Sequence, residues 1–504
     1  MNEQGDQTEQ TEQGKQIKQE QGRRITVNPI TRLEGHAKVE IFLDNDGNVK
    51  DAYLQAPELR GFEKFCEGRY GEEMPIITSR ICGVCPEAHH LASTKALDAA
   101  FNVEPPETAR KLRELLYNAY YVYDHLVHFY ILGGPDFIMG PDSSPEERNI
   151  LGVIKKADEE VGRDVIRHRS YAHKVIEIIG GRAINPVCGL PGGMSSPINE
   201  EQRKEIEGMA HSCVDFSKYT VDLFNQVVLD NEEYFELIKN DSYSLHTYYM
   251  GMVDENNKIN FYDGKIRVVD PEGYEFSKFD GKEYLDQVEE HVEPWTYVKL
   301  PYLKNVGWRG LEEGAGSGIY RVGPLARINV SEGFTTPLAQ AEYEKFQKTL
   351  GKPAHSTLAY HWARVTEMLH AAERMVELSS DKDITGNKIR NKPGEPGEGI
   401  GVIEAARGTL IHHYNLNADG MVDKANLIVA TTNNSGAICL SVKKAAQAMI
   451  QNGNVDQGLL NKIEMAFRAY DPCMACATHA LPGKMPLEAT IYDSEGNVYH
   501  KLSR

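Results

Sequence analysis

The stretch ETARKLRELLYNAYYVYDHLVHFYIL (residues 107–132) follows Pro105 and Pro106 and decides how the rest of the chain is read. Leu112, Leu115, Leu116, Ala119, Tyr123, Leu126, Val127 and Tyr130 recur at helical spacing, which predicts a long, largely buried helix. Further helices are expected at about 146–179, 199–240, 336–379 and 440–470. Upstream, AKVEIFLD (37–44) and NVKDAYLQA (48–56) flank the turn residues Asn45, Asp46 and Gly47, a hairpin signature. Residues 241–310 are rich in Gly, Asp and aromatics, with alternating runs such as KIRVV (265–269), and read as β and loop. Residues 1–22 are rich in Gln and Glu with little apolar content and are expected to form a disordered tail. No Pro/Ser-rich linker or internal repeat interrupts 23–479. The expected architecture is α+β: a helix-dominated single large body, with a long buried helical bundle and peripheral β hairpins and sheets.

Composition narrows the function. The 504 residues include 41% hydrophobic side chains, enough for a sizeable core, and carry a formal charge of −19. That charge disfavours nucleic acid and anionic membrane surfaces as partners. No run of about 18 uncharged apolar residues suggests a membrane span, and the first residues lack the apolar core of a signal peptide. Eight cysteines in a chain of this length do not make a secreted disulfide framework. A cytoplasmic protein is expected.

The chemistry lies in two CxxC pairs, Cys82-Gly83-Val84-Cys85 and Cys473-Met474-Ala475-Cys476. Each turn lets two thiolates converge, and together they offer four soft ligands to a metal. Structural zinc is one reading. Against it, almost 390 residues separate the pairs, where zinc patterns place them about 15–20 apart. The neighbours favour a reactive metal. The first pair reads Arg80-Ile81-Cys82-Gly83-Val84-Cys85-Pro86-Glu87-Ala88-His89, the second Asp471-Pro472-Cys473-Met474-Ala475-Cys476-Ala477-Thr478-His479. A cation, an acid and a histidine thus accompany the thiolates, as expected of groups that tune a metal from behind its ligands.

With these motifs the chain resembles the large, catalytic subunit of nickel–iron hydrogenases. The resemblance covers roughly 23–504 and includes RLEGH (32–36), RGFE (60–63), DHLVHFY (124–130) and ARGTL (406–410). It implies that Cys82, Cys85, Cys473 and Cys476 bind nickel, and that Cys85 and Cys476 bridge to an iron carrying CO and cyanide ligands. It implies heterolytic cleavage of H2 into a proton and a hydride. The base is the thiolate of Cys476 or Cys473, or the guanidinium of Arg407, and the sequence leaves that choice open. Arg407 matches the family's arginine above the metals, although Ala406 stands where the family usually has proline. Asp124 and Asp471 belong with it, and buried carboxylates do need such a partner. Glu34 matches the glutamate that passes protons away from a nickel-bound thiolate, a role suited to a buried carboxyl with a raised pKa.

Glu63, His479 and the backbone carbonyl of Leu427 match ligands of a second site, for magnesium or a second iron. Thr431 matches a residue that hydrogen-bonds a cyanide. The segment 480–504, with TIYD and NVYH around a Ser-Glu-Gly turn, looks like the extension that a dedicated endopeptidase removes after His479. That would leave 23–479 as the catalytic domain, served by a maturation chaperone. Cys66, Cys188, Cys213 and Cys439 show no iron–sulfur spacing, so an iron–sulfur small subunit is expected to take the electrons. No GxGxxG fingerprint occurs in a strand–turn–helix setting, which puts any flavin or nicotinamide on other, acceptor chains. The resemblance is greatest to soluble hydrogenases linked to flavin-containing, heterodisulfide-reductase-like or electron-bifurcating complexes. A direct NAD(P)-reducing complex and a low-turnover H2-sensing relative are the alternatives.

Overall fold

A computed structural model describes residues 24–28, 30–157, 159–481, 488–492 and 498–503. The expected tail at 1–22 lies outside the described residues. Helix outweighs strand, and the mixed α+β architecture matches the expectation.

The decisive stretch forms a helix, Glu107–Val127, entered through Pro106 in an extended conformation. Of the eight predicted apolar positions, six in this helix are buried, Val127 is half-buried, and Tyr130 is buried just beyond it. At about 2 kcal/mol for each fully buried large side chain, this one element supplies a large part of the core. Beyond Val127 the chain widens into a π-helical turn, His128–Gly133, before the short helix Pro135–Ile138. Helices Glu159–Gly180 and Tyr360–Ser380 pack against the central helix, and Glu200–Phe224 packs on both of them. Glu200–Phe224 begins at Asn199, whose side chain and that of Gln202 cap each other's backbone N–H groups.

Several predicted helices prove interrupted. The 336–379 stretch is two helices, Pro337–Leu350 and Tyr360–Ser380, because Gly351 and Pro353 break the pattern. The 199–240 stretch passes through a π-helical turn at Asn225–Leu229 before Glu232–Lys239. The 146–179 stretch holds Ile150–Ala157 and Glu159–Gly180. The last stretch is also two helices, Ala430–Met449 and Gln457–Arg468, and the first starts ten residues earlier than expected.

The predicted hairpin is present as Lys38–Leu43 and Val49–Gln55, joined by Arg24–Val27 in one antiparallel sheet. The β-rich region contributes Tyr248–Val253, Lys265–Val269 and Glu275–Phe279 to a second sheet. A third sheet is made of Glu398–Ala405, Gly408–Leu416 and Val422–Ile428. Its middle strand is buried along nearly its whole length, and helix Pro86–Ala100 lies on Glu398–Ala405. Near the C-terminus, Glu488–Tyr492 pairs antiparallel with Val498–Ser503, the hairpin read from the sequence; its turn lies outside the described residues. No described helix is long and apolar enough to cross a membrane.

Candidate metal centre

Both cysteine pairs sit where a helix begins. Cys85 precedes helix Pro86–Ala100, and Cys473 precedes the short helix Met474–Ala477. The sulfurs of Cys82 and Cys473 are 3.4 Å apart, as are those of Cys85 and Cys476. All four lie within 4.8 Å of one another, every one is buried, and no described cysteine forms a disulfide. The backbone N–H groups of Val84 and Cys85 each donate to Cys82 Sγ at 3.2 Å. Four convergent, uncrosslinked sulfurs in a closed pocket are the donor set of a soft transition metal. The thiols titrate as one set. Burial works against every thiolate and pushes Cys476 up to about 11. At Cys82 burial is outweighed by hydrogen bonds from Cys473, Cys476 and Cys85, which hold it well below the usual thiol range. A metal that collects all four must therefore displace protons.

Glu34 reaches this pocket from the far end of the chain. The Cys473 thiol donates to Glu34 Oε2 at 2.9 Å, and the Ala475 N–H donates to the same oxygen at 3.2 Å. The Met474 N–H donates to the Glu34 carbonyl at 2.8 Å, which closes a backbone bridge between the two segments. Gly35 makes that approach possible: its φ is +80°, and a Cβ there would stand 2.8 Å from Ala475 N. Burial, followed by the charge of Cys82, raises the Glu34 pKa. A half-buried carboxyl touching a ligand sulfur can take up and release a proton at that atom.

Arg407 is presented by a two-residue hairpin turn, Ala406-Arg407, between Ala405 and Gly408. Gly408 has φ +136°, and a Cβ there would lie 2.1 Å from Val322. Four backbone groups at the turn find buried partners. Arg327 donates to the carbonyls of Ala405 (2.9 Å) and Ala406 (3.1 Å), Asn434 donates to that of Arg407 (3.2 Å), and the Ala406 N–H donates to the Tyr120 hydroxyl (3.2 Å). Arg327 is itself held by Glu367 at 2.6 Å and Glu404 at 2.7 Å, and Glu367 also meets His125 at 3.0 Å. The Arg407 guanidinium then pairs with Asp124 at 3.0 Å and Asp471 at 2.8 Å, and its Nε donates to the Asp471 carbonyl at 2.8 Å. Burial opposes the Arg407 charge, but Asp124 and Asp471 outweigh it and lift its pKa well above the usual value. Burial pushes Asp471 up to about 7.

A second cluster lies behind the first pocket. The Leu427 N–H donates to Glu63 Oε1 at 2.8 Å, His479 Nε2 is 2.5 Å from the Leu427 carbonyl, and Nε2 is 3.8 Å from Glu63 Oε1. His479 Nδ1 bonds to the Cys476 carbonyl at 2.8 Å, which ties the two clusters together. A carboxylate, a carbonyl and an imidazole form a harder donor set than four sulfurs, one that could hold a divalent cation such as magnesium or ferrous iron.

The other predicted residues divide. His89 Nε2 lies 3.5 Å from Cys476 Sγ, whereas Arg80 is exposed. Thr431 accepts the Cys473 N–H at 3.1 Å. Sequence reasoning missed Arg60, although it opens the RGFE motif. Its guanidinium donates to the carbonyl of Ile81 and to that of Ala475 at 3.2 Å, bracing both cysteine turns. It also missed Arg327, Glu367 and Glu404, whose complete burial leaves no local pattern.

Comparison with known proteins places the whole chain in a family. The family model described as Nickel-dependent hydrogenase matches residues 60–141 and 316–479, and one described as HoxL-like matches 24–59. An F420-non-reducing hydrogenase iron-sulfur subunit of Archaeoglobus profundus is 50% identical over 94% of this chain and 98% of its own length. The NAD-reducing hydrogenase HoxS subunit beta of Cupriavidus necator is 36% identical over 96% of this chain and all of its own. A crystal structure of a NAD+-reducing [NiFe]-hydrogenase in the H2-reduced state superposes with a TM-score of 0.85 at 37% identity, covering 91% of this chain and 99% of that one. The chain belongs to the nickel-dependent hydrogenase family as its large subunit, an oxidoreductase acting on H2.

Proposed function

We propose that Cys82, Cys85, Cys473 and Cys476 hold the nickel, that Cys85 and Cys476 also hold an iron bearing CO and cyanide, and that the pocket cleaves H2 reversibly and heterolytically. The bound metals would supply Lewis acidity and two-electron redox chemistry. The chain's residues do the rest. Glu34 takes the proton from the Cys473 sulfur and passes it outward. Arg407, fixed by Asp124 and Asp471, keeps a positive charge facing the sulfurs, and its buried surroundings exclude water. Thr431 braces Cys473 and would serve as a donor to a cyanide. Glu63, Leu427 and His479 would bind magnesium or a second iron. The observation that carries this reading is the contact between Glu34 Oε2 and Cys473 Sγ at 2.9 Å, made across 439 positions of sequence.

Electrons would leave through an iron–sulfur small subunit to a flavin-containing acceptor complex in the cytoplasm. The 50% identity to an F420-non-reducing hydrogenase subunit supports that destination. Direct reduction of NAD(P) is the second reading, favoured by the 36% identity to a NAD-reducing hydrogenase. Cleavage after His479 by an endopeptidase, with a chaperone attending metal insertion, would complete maturation and leave 23–479 as the working body. Element-resolved mass spectrometry on the complex from its host tests the core of the proposal. One nickel per chain, with iron beyond the partner's clusters, supports it. One zinc and no nickel sinks it. Assaying the same complex with NAD(P) separates the two acceptors.

A further inference from the structure

Asp136 lies outside the pocket, on the short helix Pro135–Ile138, and is 1% exposed. Its two carboxylate oxygens serve different ends of the chain. Oδ1 accepts from Arg32 Nη2 at 2.5 Å, and Oδ2 accepts from Arg468 Nη1 at 2.6 Å. Arg32 opens the segment that carries Glu34, and Arg468 opens the segment that carries Asp471 and Cys473. Asn461 Oδ1 accepts from both arginines at 3.4 Å, and Arg148 Nε stands 3.5 Å from Asp136 Oδ1. The two segments also share a backbone peculiarity. Arg32 has φ +60° and Asp471 has φ +58°, each a left-handed residue two positions before the residue that meets its counterpart, Glu34 or Cys473. Left-handed conformations at residues other than glycine persist only where the surroundings over-determine them. Here one carboxylate holds Arg32 itself and also Arg468, whose carbonyl accepts the Asp471 N–H at 3.0 Å. The π-helical turn delivers Asp136 to this place, and its His128 bonds the Arg468 carbonyl at 3.1 Å.

We propose that Asp136 is a positioning residue for proton transfer: it clamps the Arg32 and Arg468 segments together so that the Glu34 carboxyl stays within hydrogen-bond reach of the Cys473 sulfur. The proposal rests on the relay reading of Glu34. Displacement of such a pair by about 1 Å is enough to cost on the order of 100-fold in rate. Cleavage of H2 at the metals does not use this clamp, but delivery of the proton to solvent does.

The test is Asp136→Asn in the complete complex. Nickel and iron contents should match wild type, conversion of para- to ortho-hydrogen should stay within about twofold, and exchange of H2 with D2O should fall by at least about tenfold. Equal losses in both reactions, or no loss in either, would overturn the proposal. A readout independent of H2 chemistry is amide exchange in the metal-free full chain. The Met474 and Ala475 amides, which donate to Glu34, should exchange at least about tenfold faster in the variant, and unchanged protection would overturn the clamp. If Glu34→Gln exchanges H2 with D2O like wild type, the relay and the proton-transfer role of Asp136 fall together, while the amide result still judges the clamp. Should Asp136→Asn fail to accumulate, Arg32→Gln severs one arm. It should show the same split, with Arg32→Lys recovering part of the exchange, and wild-type behaviour of Arg32→Gln would count against the clamp.

Discussion

The four-sulfur pocket and the Glu63–Leu427–His479 corner stand back to back, with His412 between them. His412 pairs with Leu427 in the buried sheet, and its Nε2 lies 3.1 Å from His89 Nδ1, the ring that faces Cys476. Yet the two sites are built on different terms. In the pocket the donors have no better partner than a metal: they are sulfurs, sealed from water and brought together by loops from both ends of the chain. In the corner the donors already satisfy one another, since His479 bonds the Leu427 carbonyl and the Leu427 N–H bonds Glu63. A cation entering there must replace existing hydrogen bonds, each worth about 1 kcal/mol net. The difference teaches that burial and ligand softness would fix a metal in the pocket, while a cation in the corner would be held by a balance that is easier to tip.

The largest expected effect breaks the pocket alone. Cys476→Ser should lower bound nickel by more than the roughly 10–100-fold that loss of an outer-shell partner costs, abolish H2 oxidation, and leave the fold intact by circular dichroism. Nickel at wild-type occupancy would contradict the assignment. Next, Glu34→Gln should retain nickel while H2/D2O exchange falls by about 10²–10⁴-fold. Then Glu63→Gln should empty the corner of its divalent cation, measured by mass spectrometry, with nickel retained and activity lowered by about tenfold. If nickel is lost in parallel, the two sites are not separable as argued.

The smallest effect concerns the wall. Burial, then the neighbouring His89 and His479, holds the His412 pKa well below the usual histidine range. The unfolded chain therefore binds that proton first as pH falls. The stability conferred by a neutral His412 is complete above about pH 6.5 and declines below it, by at most about 1.4 kcal/mol per pH unit. Urea midpoints of the metal-free chain between pH 7.5 and 5 should show a shallower slope in His412→Gln than in wild type. Identical slopes would mean that the ring is not kept neutral by the fold.

Much of this was legible in the sequence, for physical reasons that differ by region. The helix at 107–127 announced itself because its apolar positions repeat with the helical period, and the cysteine turns because thiolate pairs at that spacing have few other uses. The sheet at 398–428 did not. Its strands GIGVIEA and GTLIHHYNL are buried on both faces, so they lack the alternation that marks a half-exposed strand. The start of helix Ala430–Met449 was missed because TTNNSG looks like a loop. In the structure Asn433 and Asn434 are buried and donate to the Thr409 and Arg407 carbonyls. Asp136 and Arg327 were invisible for a related reason: a buried ion pair joins residues far apart in sequence, and neither partner leaves a local trace.

The distance in sequence between the two cysteine pairs also sets a schedule. A ribosome adding about 5–20 residues per second makes Cys82 and Cys85 on the order of 20–80 s before Cys473 and Cys476 emerge, given the 391 positions between the facing sulfurs. Throughout that interval the first pair has half a coordination shell and the Glu34 loop has no sulfur to meet. The second pair is the later wall of the pocket to be synthesised, so a newborn chain holds the site open until residues 473–476 have been made.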